Sequence, residues 1–157
     1  MRMRIPTALL TAGVMALTGV AATAMDGTAA LAQGRRCGPG VSKTGSGSLG
    51  TGWSLKSMYD DDGPVQGQLV VGEEFEIFTQ GAGQHWSVTF THNGTVFFSN
   101  SDDVSTATGI REVHMTSALH NTTQTMNAHA VRKDTGEVID GTVTLPFAPP
   151  ACAPNSP

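Results

Sequence analysis

The sequence predicts an all-β fold, an immunoglobulin-like β-sandwich of about seven antiparallel strands. The chain of 157 residues contains 19 glycines and only 14% charged residues, and it is rich in Thr and Ser, a composition that favours strands and turns over helices. Short stretches of alternating apolar and polar residues recur between turn signals about every dozen residues. One turn signal, Asn93-Gly94, is the strongest short-range indication of a type I′ β-hairpin.

The first 32 residues are predicted to be a secretory signal peptide and not part of the fold. Arg2 and Arg4 precede an apolar run at 8–17, and small residues follow it. The run is too short for a membrane span, which needs about twenty apolar residues. The mature chain is therefore expected to be secreted and extracellular, without a membrane span. Two A-x-A motifs, ending at Ala24 and Ala32, leave cleavage after either residue open.

The remaining chain divides into three parts by composition. Residues 33–52 are rich in Gly and Ser and are interpreted as a flexible linker. Residues 53–146 carry the alternating pattern and are expected to form the sandwich. Residues 147–157 are a Pro-rich C-terminal tail that cannot pair inside a sheet. The predicted strands lie at 53–62, 68–79, 85–91, 95–100, 109–117, 124–132 and 137–145.

Side-chain orientation is predictable for most of these strands. The third strand is expected to point Trp86, and with it Val88 and Phe90, into the core. Of the adjacent Phe97 and Phe98, only one is expected to face inward. The fifth strand contains Ile110, Val113 and Met115, an imperfect alternation that predicts a β-bulge or a shifted start.

The chain has two cysteines, Cys37 and Cys152, one on each side of the patterned region. An even number of cysteines in an exported chain indicates one disulfide, which here ties the two ends of the domain together. Intermolecular pairing is the alternative. A metal site or a reactive thiol is less favoured, because there is no CxxC motif and no histidine close to either cysteine in the sequence.

An ordered set of short motifs resembles a group of small secreted actinobacterial proteins. The motifs are W-S-L-K-x-x-x-D-D at 53–61, E-F-E-I at 74–77, G-Q-x-W-x-V at 83–88, N-G at 93–94 and T-G-E at 135–137. The resemblance implies export and a single β-sandwich, and it implies no particular activity. Members of this group often place a cysteine just after the T-G-E turn, where this chain has Val138. A disulfide role shared with the group therefore does not follow.

Two groups of residues are candidates for metal binding. Asp60, Asp61 and Asp62 follow the first strand and offer the oxygen ligands that calcium prefers, although clustered Asp residues are also common turn formers. His85 and His129 are predicted to face outward on the third and sixth strands, which are neighbours in an immunoglobulin-like sheet. Such a pair suits zinc or copper but needs a third ligand, and the alternative is an ordinary polar sheet face. The same topology places His114 on the opposite sheet.

Several classes of function are disfavoured. Residues 53–146 contain twelve acidic and four basic residues, a net charge of about −8, which repels nucleic acid. There is no G-x-S-x-G motif and no Gly-rich loop preceding a helix, so no hydrolytic triad and no nucleotide cofactor are predicted. The sequence favours a secreted, non-enzymatic protein without a cofactor that binds or scaffolds an extracellular or cell-surface partner. The alternative is a secreted metal- or small-ligand-binding protein that uses the Asp turn or the histidine face.

Overall fold

The computed structural model describes residues Cys37–Ala153, so the predicted signal peptide, residues 33–36 and the last four residues lie outside it. Within this range there is no helix, and hence none that is long and apolar enough to cross a membrane. The described chain forms eight strands: β1 (Val41–Ser46), β2 (Gly52–Asp60), β3 (Val70–Phe78), β4 (His85–His92), β5 (Thr95–Val104), β6 (Ile110–Ser117), β7 (Gln124–Arg132) and β8 (Val138–Leu145).

The strands form two four-stranded antiparallel sheets packed face to face. The first sheet has the order β1-β2-β3-β6 and the second has the order β5-β4-β7-β8. The chain crosses from the first sheet to the second after β3, returns after β5 and crosses again after β6. This arrangement of β2–β8 is immunoglobulin-like, and it confirms the predicted all-β sandwich.

The structure has eight strands where the sequence predicted about seven, because β1 lies inside the stretch interpreted as a linker. β1 pairs along its whole length with β2, and Gly45 lies opposite Trp53. A Cβ atom at Gly45 would come within 2.6 Å of the Trp53 ring. The small residues that made this stretch look like a linker thus allow the strand to pack closely over a tryptophan.

The core lies between the sheets and is built from alternate residues of each strand. Trp86, Val88 and Phe90 of β4 are fully buried, as predicted. Phe75 of β3 faces them from the other sheet, and its ring meets that of Phe90 edge-on with 6.1 Å between centroids. Burying large apolar side chains of this kind stabilises the fold by about 1.5–3 kcal/mol each.

Both Phe97 and Phe98 contact the core, so the expectation that only one faces inward is wrong. Their ring centroids lie 5.9 Å and 5.2 Å from that of Phe90. The pairing of β4 with β5 shifts by one residue here, since Phe90 lies opposite Phe98 but Thr91 lies opposite Val96. The irregularity leaves Phe97 outside strict alternation and lets both rings turn toward the core.

β6 is oriented so that two of its apolar side chains, Val113 and Met115, point outward. Its register with β3 runs without interruption from Ile110 to Ser117, so there is no β-bulge, and the strand starts one residue later than the predicted 109. Glu112 and His114 face the interior, whereas Val113 and Met115 face solvent and are 50% and 51% exposed. β6 is one of the two edge strands of its sheet, at the end opposite to β1. This inverted strand creates the two surface features described below.

The opposite side of the sandwich is closed by hydrogen bonds. The buried carboxylate of Glu137, just before β8, accepts hydrogen bonds from the Thr51 backbone N–H at 2.8 Å, the Thr51 hydroxyl at 2.7 Å and the Leu49 N–H at 3.2 Å. Burial would raise the pKa of Glu137, but these hydrogen bonds and the charge of Arg132 outweigh it and lower the pKa. The β1–β2 turn is thereby attached to the second sheet.

Cys37 and Cys152 form an intramolecular disulfide, which confirms the predicted bridge between the two ends of the domain. Both cysteines are buried and belong to the core cluster. The residues after β8 are therefore held against the sandwich at least as far as Ala153, whose carbonyl lies 3.1 Å from the His120 ring.

The hairpin turn between β4 and β5 has the predicted left-handed backbone, with φ values of 48° at Asn93 and 83° at Gly94. We expect Gly94→Val to lower the free energy of unfolding by about 1–2 kcal/mol, because a β-branched residue is strained at positive φ. Denaturant titration measures this loss. Gly94→Asn is the control, since asparagine tolerates this conformation, and equal stability of the two variants would contradict the turn assignment.

Candidate functional site

A group of polar side chains lies where the edge strands β5 and β6 face each other across the sandwich. This β5–β6 edge cluster consists of Asn100 and Asp103 on β5 and Glu112 and His114 on β6. Glu112 is at its centre: one carboxylate oxygen accepts a hydrogen bond from Asn100 Nδ2 at 3.3 Å, and the other lies 2.8 Å from His114 Nε2. The Asp103 carboxyl group lies near the Glu112 carboxylate, close enough for its charge to act on Asp103. Two carboxyl groups, an amide and an imidazole thus converge at one edge.

The electrostatics of the β5–β6 edge cluster are dominated by the two acids. Burial, followed by the nearby Glu112 carboxylate, raises the pKa of Asp103. Among the residues that the structure describes, no lysine or arginine forms a hydrogen bond or ion pair with this cluster. The His114 imidazole, 2.8 Å from Glu112, is the basic group in contact with these acids.

Aromatic residues fix the His114 ring. Phe98 stacks on it with 3.5 Å between ring centroids and 18° between the planes. Phe90 meets it edge-on at 5.7 Å. These contacts limit rotation of the imidazole and hold Nε2 toward Glu112.

A buried carboxyl group lies next to the cluster on the inner face of the first sheet. Glu73 of β3 is the register partner of His114, and its side chain faces the interior. Glu73 is 1% exposed, and neither of its carboxylate oxygens has a hydrogen-bond partner. Burial raises the pKa of Glu73 to about 8, so this group keeps its proton at neutral pH.

Sequence reasoning did not identify the β5–β6 edge cluster. The predicted fourth strand ends at Asn100, which leaves Asp103 in a loop, whereas β5 continues to Val104. A register shift between Trp86 and Val88 then places Asp103 and Asn100 opposite these two inward residues. The available signal was the alternation E-x-H-x-T at 112–116, a polar set on one side of a strand.

The structure brings Asp60, Asp61 and Asp62 together in a turn. One carboxylate oxygen from each lies within 4.8 Å of the others. Asp60 Oδ1 accepts hydrogen bonds from the backbone N–H groups of Asp61 and Asp62 at 2.7 Å and 3.1 Å, the geometry of an Asx turn. Asp61 is buried, and its Oδ1 has no hydrogen-bond partner. A metal role for this turn stays a hypothesis.

His85 and His129 lie on the same outer face of neighbouring strands but are not close together. His129 is opposite Thr89, four residues along β4 from His85, which corresponds to about 13 Å. Each ring has its own carboxylate: His85 Nδ1 lies 2.9 Å from Asp102, and His129 Nδ1 lies 2.7 Å from Asp140. The structure therefore forms two separate His–Asp pairs, and the candidate two-histidine site is not brought together.

The outward side of β6 contributes to an apolar depression on the first sheet. The apolar patch consists of Met58, Gly72, Val113 and Met115, and the depression that it lines has a volume of about 160 Å³. Gly72 leaves the floor open, since a Cβ atom there would have no neighbour closer than 3.9 Å. The rim is polar, formed by Lys56, Asp60 and Glu74.

Comparisons with known proteins identify no relative of this chain. No protein-family profile matches this chain, and no curated protein or solved structure is significantly similar to it. The functional argument therefore depends on the residues described above.

Proposed function

We propose that this chain is an exported, non-enzymatic binding protein that docks an extracellular or cell-surface protein on the apolar patch. The observation that carries the proposal is the inverted β6, which exposes about half of Val113 and Met115 beside the side-chain-free floor at Gly72. Apolar surface rimmed by polar residues is typical of protein–protein contact sites.

The size of the depression favours a protein partner over a small molecule. Its volume of about 160 Å³ is below the roughly 300–1,000 Å³ of small-molecule pockets. A depression of this size suits one large apolar side chain, and such anchors in central pockets supply most of the binding energy of many interfaces. Lys56, Asp60 and Glu74 at the rim are placed to form the surrounding polar contacts.

Export is supported by two features that are independent of the patch. The disulfide between Cys37 and Cys152 is of the kind that persists in oxidising compartments. The N-terminal segment has the charge and hydropathy pattern of a secretory signal.

The test is capture of partners from the native culture by the mature protein and by the double variant Val113→Asp/Met115→Asp. We expect at least a tenfold loss of the captured partner, because two charges would have to be desolvated in the contact. Val96→Asp is the matched control, since Val96 is 57% exposed on the other sheet. Quantitative mass spectrometry gives the readout. Equal capture by the patch variant and wild type would contradict the proposal.

A further inference from the structure

The Asp turn at the end of β2 brings three carboxylates close enough for one ion. Asp60, Asp61 and Asp62 each place one carboxylate oxygen within 4.8 Å of the other two. Three atoms with this spacing all lie within about 2.8 Å of a single point, and calcium binds its oxygen ligands at about 2.3–2.6 Å. Only a small movement is therefore needed for one ion to contact all three side chains.

A buried oxygen without a hydrogen-bond partner belongs to the same turn. Asp61 is only 9% exposed, and its Oδ1 atom has no hydrogen-bond partner. Its carboxyl group is one of the three that converge, so the unpartnered atom is carried by a side chain of the group. A buried carboxylate oxygen without a partner is costly, and a bound cation relieves that cost. Burial of Asp61 and the spacing of the three acids are separate observations, and both indicate a cation.

Hydrogen bonds and packing hold the Asp turn in place. Asp60 Oδ1 accepts hydrogen bonds from the next two backbone N–H groups, at 2.7 Å and 3.1 Å. The Gly67 N–H donates to the Asp61 carbonyl at 3.2 Å and closes residues 61–67 into a loop. A Cβ atom at Gly63 would come within 2.5 Å of the Val70 side chain, so this loop packs closely on β3. A turn that is already ordered loses little conformational entropy when an ion binds.

We propose that Asp60, Asp61 and Asp62 bind one calcium ion, which fastens the start of the β2–β3 connection to the end of β2. All three side chains offer oxygen, the ligand that hard cations such as calcium prefer. Magnesium demands near-ideal octahedral geometry and usually keeps several waters, which suits three consecutive side chains of one turn less well. Solvent supplies the rest of the six to eight oxygens that calcium takes. We therefore expect a Kd of about 0.1–1 mM, as in other extracellular modules.

The test uses the mature, disulfide-bonded protein, freed of metal with EDTA, dialysed, and titrated calorimetrically with calcium chloride or magnesium chloride. We expect one calcium ion per chain and at least tenfold weaker magnesium binding. Asp60→Asn and Asp61→Asn should each weaken calcium binding at least tenfold, because each removes a charged ligand. Asparagine also forms Asx turns, so Asp60→Asn keeps the local backbone. The matched control is Asp140→Asn, which alters an exposed carboxylate beside His129 and should bind calcium normally.

Thermal unfolding provides a second measurement. Calcium at about ten times Kd should raise the Tm of the wild type and of Asp140→Asn by several degrees, because the ion binds the folded state. It should leave the Tm of Asp61→Asn nearly unchanged. Near-UV circular dichroism of the metal-free proteins identifies any unfolded variant, and Asp60→Asn then replaces it. The proposal is overturned if the wild type shows no saturable calcium binding, if magnesium binds equally well, or if the Asp60 and Asp61 variants bind calcium as tightly as the wild type.

Discussion

Glu73→Gln is expected to stabilise the protein at pH 7 by roughly 3 kcal/mol. The wild-type carboxyl group is buried without a hydrogen-bond partner, and burial raises its pKa to about 8 from a reference value of 4.5. Between these values the unfolded chain releases a proton that the folded chain keeps. Wild-type stability therefore falls as pH rises from about 4.5 to 8, by up to about 1.4 kcal/mol per pH unit.

The glutamine variant lacks this pH dependence. Its gain in free energy of unfolding over the wild type should therefore be small near pH 4.5 and should grow toward pH 8. Denaturant titrations at several pH values measure the difference. Glu74→Gln is the matched control, because Glu74 is the next residue but faces outward and pairs with Arg111 at 2.6 Å. Parallel stability profiles for wild type and Glu73→Gln would contradict the buried position of Glu73.

Loss of the disulfide is expected to have the largest effect on stability. The bridge joins residues 115 positions apart, and closing a loop of that length restricts the unfolded chain by about 4–5 kcal/mol. The double variant Cys37→Ser/Cys152→Ser should therefore lose about that much free energy of unfolding. Its Tm should fall by roughly 10–20 °C, which calorimetry measures.

Reducing agent provides the control for the disulfide prediction. Reduction should destabilise the wild type to about the level of the double variant and should leave the variant itself unchanged. A change of less than about 1 kcal/mol in both experiments would show that packing around Cys37 and Cys152, and not the covalent link, holds the two ends together.

Local signals in the sequence were sufficient for most of the secondary structure. Asn93-Gly94 predicted a type I′ turn because both positions need positive φ, and the structure has it. The seven predicted strands are present, and Trp86 lies in the core as its alternation with polar neighbours indicates. The Cys37–Cys152 pairing followed from the number of cysteines and is also confirmed.

The errors occurred where a long-range contact decides the outcome. β1 was interpreted as linker because its Gly and Ser residues carry no apolar pattern, yet Gly45 is needed for close packing on Trp53. The two Phe residues of β5 were assigned by strict alternation, which the register shift after Phe90 removes. His85 and His129 were placed on the correct face of neighbouring strands, but their separation along the strands depends on a register that single-strand patterns do not contain.

The sequence by itself determined the fold class, the turns and the covalent link, because these depend on local backbone preference, on period-two alternation and on the number of cysteines. Only the tertiary structure decided which side of β6 faces inward. β6 is one of the two edge strands of its sheet, and its backbone pairing with β3 sets which of its side chains point inward, because a shift of one residue would exchange the two faces. That register turns Glu112 and His114 inward, partly buried and near Asp103, and leaves Val113 and Met115 exposed, so the β5–β6 edge cluster and the apolar patch both follow from it.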